Sequence, residues 1–483
     1  MADSTSSASS LVKQHAYIDG RWVGEPADAI VNPATGETIA HVPHLGQQAA
    51  QDAVTAAYTA LKPWSDTLAT QRASVLRRWF ELIREHRETL ATILTCEQGK
   101  PIAEARGEID YAASFVEFYA EQAKRIQGEI LQPHLPNSRV LVTKHPIGVC
   151  AAITPWNFPA AMITRKCAPA LAAGCTVVLK PAPETPLTAL ALAELADRAG
   201  IPAGVLNVVT GDAKAIGQSW CADPRVRLLG FTGSTEIGKL LMSQASTTVK
   251  KVALELGGNA PLIVFADADL SAAVEGAITA KFRNMGQTCI CANRLLVHDS
   301  IHDRFVELLS ARVAAMTVGN GMDANIQQGP LINESALQKV QHLVDDAVQA
   351  GARILTGGKP HALGKTFFQP TVLDRVTSKM EIVCEEIFGP VAPVIRFTSE
   401  EEAIEIANDT PYGLAAYFYG RDLGQTFRVA QQLEYGMIGI NSTSLGSAMA
   451  PFGGVKQSGI GREGSHHGIE EFLELKYLLI GGL

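Results

Sequence analysis

The sequence predicts an α/β fold: a doubly wound parallel sheet, a second α/β region after it, and a small β extension. Three observations carry this. Between residues 149 and 254 short apolar runs alternate with longer helical stretches, which is the spacing of parallel βαβ units. A second series of the same kind starts near Pro261. Two strand-like segments, RVLVTKH (139–145) and LELKYLLI (473–480), find no partner in either series. At 483 residues the chain is too long for one core and suits two or three domains.

Before the sheet, Leu76, Trp79, Phe80, Ile83, Leu90 and Leu94 repeat on one face of a single long helix. VCAAIT (149–154) is the first buried strand, and Pro159 suits the first position of a helix that ends before Gly174. TVVLK (176–180) follows, then a helix from Pro186 that ends before Gly200. VLNVV (205–209), RLLGF (227–231) and KVALEL (251–256) complete the sheet. Such sheets bind ligands beyond the carboxyl ends of their strands. The second region holds LIVF (262–265), a helix from about Asp269, LLVH (295–298) and an amphipathic helix with Phe305, Leu308, Leu309 and Val313. Strands left unpaired at an edge seek a neighbour, so 139–145 and 473–480 are expected to build a subunit interface.

Composition narrows the function. Apolar residues at 47 % and charged residues at 19 % fit a globular enzyme. A net charge of −8 with no dense basic run argues against nucleic acid as a partner. The longest uncharged, mostly apolar stretch, Cys167 to Leu179, contains Pro169 and Gly174 and is too short to span a bilayer. The first sixteen residues, MADSTSSASSLVKQHA, have no apolar core and no arginine, and read as a disordered lead-in rather than a targeting signal. Eight cysteines include no CxxC pair, so no metal site and no disulfide framework is expected, and a reducing, cytoplasmic setting fits.

Chemistry is suggested by two stretches. In Gly286-Gln287-Thr288-Cys289-Ile290-Cys291 a cysteine among small polar residues is a candidate nucleophile. Upstream, Glu255-Leu256-Gly257-Gly258 places a carboxylate at the end of an apolar run, beside open backbone. Together they suggest covalent catalysis through a thioester, then base-assisted attack of water. The plainer readings are a small buried cysteine and a solvated glutamate. FTGSTEIG (231–238) follows a strand and opens a helix, the geometry of a phosphate site or of an ordinary turn. It lacks G-x-G-x-x-G; the G-x-G-x-x-A at 319–324 follows a helix and is coincidental. Lys180, in Lys180-Pro181-Ala182-Pro183, meets a ribose hydroxyl, a phosphate, or solvent. Asn157, in Thr154-Pro155-Trp156-Asn157-Phe158-Pro159, either donates its amide to an oxyanion together with the Cys289 backbone N–H or caps a helix.

The ordered set TPWNFP, KP, FTGS, ELGG, GQTC, EEIFGP (385–390) and PFGGVKQSGIGREG (451–464) resembles the NAD(P)-dependent aldehyde dehydrogenase superfamily over nearly the whole chain. At the matching positions the resemblance implies Cys289 as nucleophile, Glu255 as base and Asn157 as oxyanion donor. It places Thr154, Pro155, Trp156, Lys180, Pro183, Gly233, Ser234, Glu386 and Phe388 around the cofactor. It also implies a cofactor-binding domain (1–126 and 147–257), a catalytic domain (258–458), oligomerisation segments (127–146 and 459–483) and a homodimer or homotetramer.

Within the superfamily, MITRKCAPALAAGCTVVLKPA (162–182), KFRNMGQTCICANR (281–294) and GREGSHHGIEEFLELKY (461–477) are similar to succinate-semialdehyde dehydrogenases. This implies Arg165 and Arg283 at the substrate, because an ω-carboxylated aldehyde carries an anion that guanidinium groups neutralise bidentately. The alternative for each is a structural ion pair. In the loop 444–450 glycine stands where the resemblance calls for serine, and Ser447 is the candidate replacement. That leaves chain length open: glutarate or adipate semialdehyde, or a general aldehyde, is the alternative substrate. NAD-selective relatives often carry an acid three positions after the lysine; here Pro183 repels no 2′-phosphate, so NADP is expected ahead of NAD. Related enzymes share Cys-x-Cys, which implies Cys291 as a redox partner of Cys289. Three rival readings fit less well. A coenzyme-A-acylating relative has no use for Glu255, a cysteine hydrolase has no accompanying signature, and a non-catalytic protein retaining the fold has no use for the three groups together.

Overall fold

The computed structural model describes residues 11–483. Of the segment expected as a disordered lead-in, residues 1–10 lie outside the described residues, and the remainder is ordered. Leu11 is buried in the largest core, Lys13 pairs with Glu194 at 3.1 Å, and Ala16 opens the strand Ala16–Ile18. The polar average over sixteen residues hid the anchoring effect of Leu11 and Val12.

The first sheet has eight strands, in the order Gly459–Ile460, Lys251–Glu255, Val226–Thr232, Val149–Ile153, Thr176–Lys180, Leu206–Val208, Ala16–Ile18 and Arg21–Val23. The central five are parallel. Alternate residues serve opposite faces, as strand geometry requires. Cys150 and Ala152 pack with helices Ala161–Ala173 and Pro186–Arg198. Val149 and Ala151 pack with helices Gln47–Asp66, Ala213–Ala222 and Thr235–Ala245. Chain order reverses between Val149–Ile153 and Val226–Thr232, the switch point where such sheets open a crevice. The register pairs Ile153 with Lys180 and with Phe231, and Thr232 with Glu255. Thr154, Lys180, Gly233 and Glu255 therefore share one edge.

The second sheet runs Arg353–Thr356, Thr371–Asp374, Val391–Phe397, Ala292–His298, Ala260–Val264, Ala415–Tyr419 and Met437–Ile440. Ala260 pairs with Ala292, so the segments that precede these two strands meet. They are the Glu255–Gly258 stretch and the Cys289 loop.

Three expectations change. The single long helix is two, Ala69–Glu85 and Arg87–Gln98, broken at His86 (φ −97°, ψ 19°). Both helices bury their apolar face in the same core, so the periodicity runs through the break unseen. The helix expected from Pro159 begins at Ala161, because residues 157–160 form a turn. The two strands without partners pair with each other, Ser138–Pro146 antiparallel to Leu473–Gly481 over nine residue pairs, with Glu129–Leu131 on the far edge. Sequence separation hid that pairing. The small sheet leaves Ile130, Leu131, Leu475, Tyr477 and Leu479 exposed. Among the described residues no helix is long and apolar enough to cross a membrane.

Candidate active site

The Cys289 loop is held in an unusual backbone conformation. Asn284, Met285 and Gly286 take φ values of 51°, 56° and 72° in succession, a run in the left-handed region that only compensating contacts keep in place. Glu104 supplies one, accepting the Asn284 backbone N–H at 2.8 Å. The Asn284 side-chain amide supplies two more, donating to the carbonyls of Asn157 (3.0 Å) and Gln287 (3.1 Å). At Gly258 a Cβ would stand 2.3 Å from the carbonyl oxygen of Cys289, so only glycine lets the two stretches lie against each other.

Half-buried Cys289 stands on the walls of two cavities. The first, of about 300 Å³, is also lined by Arg165, Arg283, Phe158, Phe452 and Ser444. The second, of about 480 Å³, brings in Asn157, Gly233, Ser234, Glu386 and Phe388. A third, of about 650 Å³, shares Pro155, Trp156 and Gly233 with the second and adds Thr154, Lys180 and Pro183. The second and third form a groove along the switch point of the first sheet. The residues expected around a cofactor all line it. Ser447 does not reach a wall; its Oγ accepts the Met449 backbone N–H at 3.2 Å, and Ser444 stands at the first cavity instead.

The two arginines differ. Arg165 is buried, sits 2.5 Å from Glu463, and lies over the Phe452 ring at 4.0 Å. Glu463 also pairs with Lys166. Both basic residues belong to a helix whose thirteen residues are all buried, so an acidic partner is required. Arg283 is exposed, with no ion pair among the described residues and only the Phe158 ring nearby at 5.3 Å. It presents a free guanidinium to the first cavity.

Electrostatics set the resting state. Burial pushes the Cys289 thiol up to about 12, against the pull of Arg165 and Arg283. Burial, then the charge of Glu463, holds the Glu255 carboxyl well above the usual carboxylate range. That carboxyl stands beside Gly453, whose Cβ would lie 2.8 Å from Glu255 Oε1, and lines neither cavity. Burial also raises Glu386 to about 7 and lowers Lys180 to about 8. Asn157 donates Nδ2 to the Gln287 carbonyl at 3.0 Å, which leaves one amide proton free. Its Oδ1, Glu255 Oε2, Thr154 Oγ1 and Thr288 Oγ1 are buried without hydrogen-bond partners. Unpaired buried polar atoms at the Cys289 loop and along the carboxyl edge of the first sheet mark a place where a ligand completes the bonding.

The groove fits a dinucleotide. Thr154 Oγ1 is an orphaned hydroxyl at the Lys180 end, and among the described residues Lys180 Nζ donates only to its neighbour's carbonyl, that of Pro181, at 2.9 Å. Ser234 caps the helix Thr235–Ala245, whose first turn opens on the groove. Cys291 faces away: buried, it donates its Sγ–H to the Lys281 carbonyl at 3.4 Å. Sequence reading missed Glu104, Lys100, Glu108 and Glu463, and only Glu463 left a signal, through the two basic residues of the buried helix.

A doubly wound sheet with a long groove at its switch point, ending at a cysteine presented by a second α/β unit, is the architecture of NAD(P)-dependent aldehyde oxidation. The chain belongs to the aldehyde dehydrogenase family, whose profile matches residues 22–478. It is 57 % identical over 476 residues to glutarate-semialdehyde dehydrogenase of Pseudomonas aeruginosa, covering 98 % of this chain and 99 % of that one. It is 56 % identical over 477 residues to 3-sulfolactaldehyde dehydrogenase of Pseudomonas putida, covering 98 % of each. It is also 56 % identical over 477 residues to the NADP+ succinate-semialdehyde dehydrogenase of Escherichia coli, covering 98 % of this chain and 99 % of that one. The crystal structure of succinate-semialdehyde dehydrogenase from Burkholderia pseudomallei is similar at 55 % identity and a TM-score of 0.97, covering 98 % of this chain and 99 % of that one.

Proposed function

We propose that this enzyme oxidises a short aldehyde with a carboxylate at its far end, succinate semialdehyde or glutarate semialdehyde, to the dicarboxylate. The observation that carries the reading is the free Arg283 guanidinium in a cavity of about 300 Å³ whose other wall is Cys289. Relatives named for succinate, glutarate and sulfolactaldehyde chemistry all act on anionic aldehydes, and their near-equal identities do not separate chain lengths.

The Cys289 thiol gives its proton to solvent in the cavity, and the thiolate attacks the aldehyde carbon, so that the carbonyl π bond opens to a hemithioacetal alkoxide. The free amide proton of Asn157 and the Cys289 backbone N–H hold the oxyanion. Bound in the groove by Lys180, Ser234, Glu386 and Phe388, NAD(P) supplies the hydride acceptor. Loss of hydride leaves a thioester on Cys289. Glu255 turns from Gly453 toward Cys289 and takes a proton from the water that releases the acid. Pro183, with no acceptor and no charge, supports NADP ahead of NAD, with Lys180 as the cation for the 2′-phosphate. The exposed apolar sheet of 129–131, 138–146 and 473–481 supports a homo-oligomer, and eight cysteines without a disulfide framework support a cytoplasmic one.

The test is a panel of C4 to C6 semialdehydes and uncharged aldehydes of equal length, each with NAD and NADP. The expected result is highest kcat/KM for the C4 or C5 semialdehyde with NADP. Equal efficiency with uncharged aldehydes overturns the substrate reading. An NAD preference above about tenfold, roughly 1.4 kcal/mol, overturns the cofactor reading.

A further inference from the structure

Lys100 is a fully buried cation that the chemistry above does not use. It lies between helices Arg87–Gln98 and Ile102–Gln122 and touches neither substrate nor cofactor cavity. Its ammonium donates to Glu108 Oε2 at 2.6 Å and to the backbone carbonyl of Asn157 at 2.7 Å, and it lies over the Phe158 ring at 3.9 Å. The other oxygen of Glu108 accepts the backbone N–H groups of Ala160 (2.9 Å) and Ala161 (3.3 Å). The pair thus grips both ends of the 157–161 turn.

That turn has no other rigid support at Asn157. The residue belongs to no helix or strand, so no ladder fixes its backbone. Its carbonyl is held by Lys100 and by the Asn284 amide, and its side chain by the Gln287 carbonyl. Asn284 and Gln287 both belong to the Cys289 loop. Among the described residues Lys100 supplies the one hydrogen bond that ties Asn157 to the body of the molecule rather than to that loop. An oxyanion donor acts only if its N–H is aimed where charge develops, and small displacements there cost large factors in rate.

We propose that Lys100 is a positioning residue that, through its bond to the Asn157 carbonyl and its pair with Glu108, fixes the Asn157 amide against Cys289. The inference rests on the reading of Asn157 as oxyanion donor. It predicts a loss in the first chemical step rather than in binding.

The experiment measures single-turnover NAD(P)H formation and steady-state KM in Lys100→Met, Asn157→Ala and the double variant. Lys100→Met should slow the single-turnover rate by roughly 10- to 100-fold while KM for aldehyde and cofactor moves less than about threefold. Added to Asn157→Ala it should cost less than about threefold more, because both changes remove one donor. Losses that multiply in the double variant overturn the proposal, as does a Lys100→Met enzyme that loses KM alone. An Asn157→Ala enzyme with wild-type single-turnover rate overturns the oxyanion reading, and this one with it. Should Lys100→Met fail to fold, Lys100→Met with Glu108→Gln removes the unpaired buried charge and keeps an acceptor for Ala160 and Ala161. A soluble enzyme of that composition with wild-type single-turnover rate also overturns the proposal.

Discussion

The two cavities that meet at Cys289 are built on opposite plans. On the groove side the wall combines apolar side chains such as Trp156, Phe388 and Leu241 with a helix start and polar groups that include the orphaned Thr154 hydroxyl, supplied by the switch point of a parallel sheet. On the other side the wall carries Arg165, Arg283, Glu104 and Glu108, and most of these charges are committed to partners behind it: Arg165 to Glu463, Glu108 to Lys100, and Glu104 to the Asn284 backbone N–H. Among the described residues of that wall, Arg283 alone remains unspent. The groove therefore offers apolar shape, a helix start and the dispersed charges of Lys180 and Glu386, whereas the first cavity offers one free cation against a balanced background. Charge count alone misleads here. Two arginines of equal sequence weight have different work.

The largest effect should come from the group that serves neither wall. Glu255 stands back beside Gly453, with burial raising its carboxyl pKa. Glu255→Gln should lower steady-state kcat by roughly 10²- to 10⁴-fold while leaving a first-turnover burst of NAD(P)H, because only hydrolysis needs the base. The pH sign follows from the direction of the shift. A carboxyl raised above its ordinary value holds its proton to higher pH than a free one, and its basic form appears as pH climbs through the raised pKa. Wild-type turnover should therefore rise with pH through a window above the ordinary carboxylate range, and the rise should vanish in the variant. A variant without a burst would move Glu255 into the acylation step and join the two halves of the site.

Next in size is the difference between the arginines. Removing the free guanidinium in Arg283→Ala should cost roughly 2–5 kcal/mol in kcat/KM for a semialdehyde and far less for an uncharged aldehyde of equal length. Arg165→Ala should harm both substrates together. It leaves Glu463 buried with only Lys166, and breaking a buried pair typically costs about 3–5 kcal/mol of stability. Thermal melting alongside the two assays separates these outcomes. If Arg165→Ala discriminates between the substrates as sharply as Arg283→Ala, the contrast between a paired and a free arginine is wrong.

This contrast was not legible in the sequence. Strand positions, the switch-point motifs and the meeting of Glu255-Leu256-Gly257-Gly258 with the Cys289 loop were, because apolar period and small residues record local backbone needs. The strand pair of 138–146 and 473–481 was hidden because pairing between distant segments leaves no local mark. Ion pairing was hidden for the same reason: Arg165 and Glu463 lie almost 300 residues apart in sequence, and the two basic residues of the buried helix call for an acid without saying which one. Lys100 is the extreme case. In the sequence it is one lysine among polar neighbours before Pro101, and only the fold shows it buried between Glu108 and Asn157. Ser447 failed from the opposite side, since a loop serine gives no sign of which way it faces.

The smallest effect is expected at Cys291, and it bears on how tightly the Cys289 loop is held. Its Sγ is buried, bonded to the Lys281 carbonyl, and lines neither cavity, so Cys291→Ala should change resting turnover by less than about threefold. Under mild peroxide the two cysteines are expected to form a disulfide, which requires the sulfur to leave Lys281 and the loop to bend until the geometry is met. Wild type should then lose activity and regain it with dithiothreitol, whereas Cys291→Ala, with no resolving thiol, should pass to higher oxidation states of Cys289 and stay inactive. Equal loss and equal recovery in both proteins would show that Lys281 keeps Cys291 in place and that the loop does not bend on this timescale. The substrate side would then be rigid in backbone as well as balanced in charge, and the contrast with the open groove would sharpen.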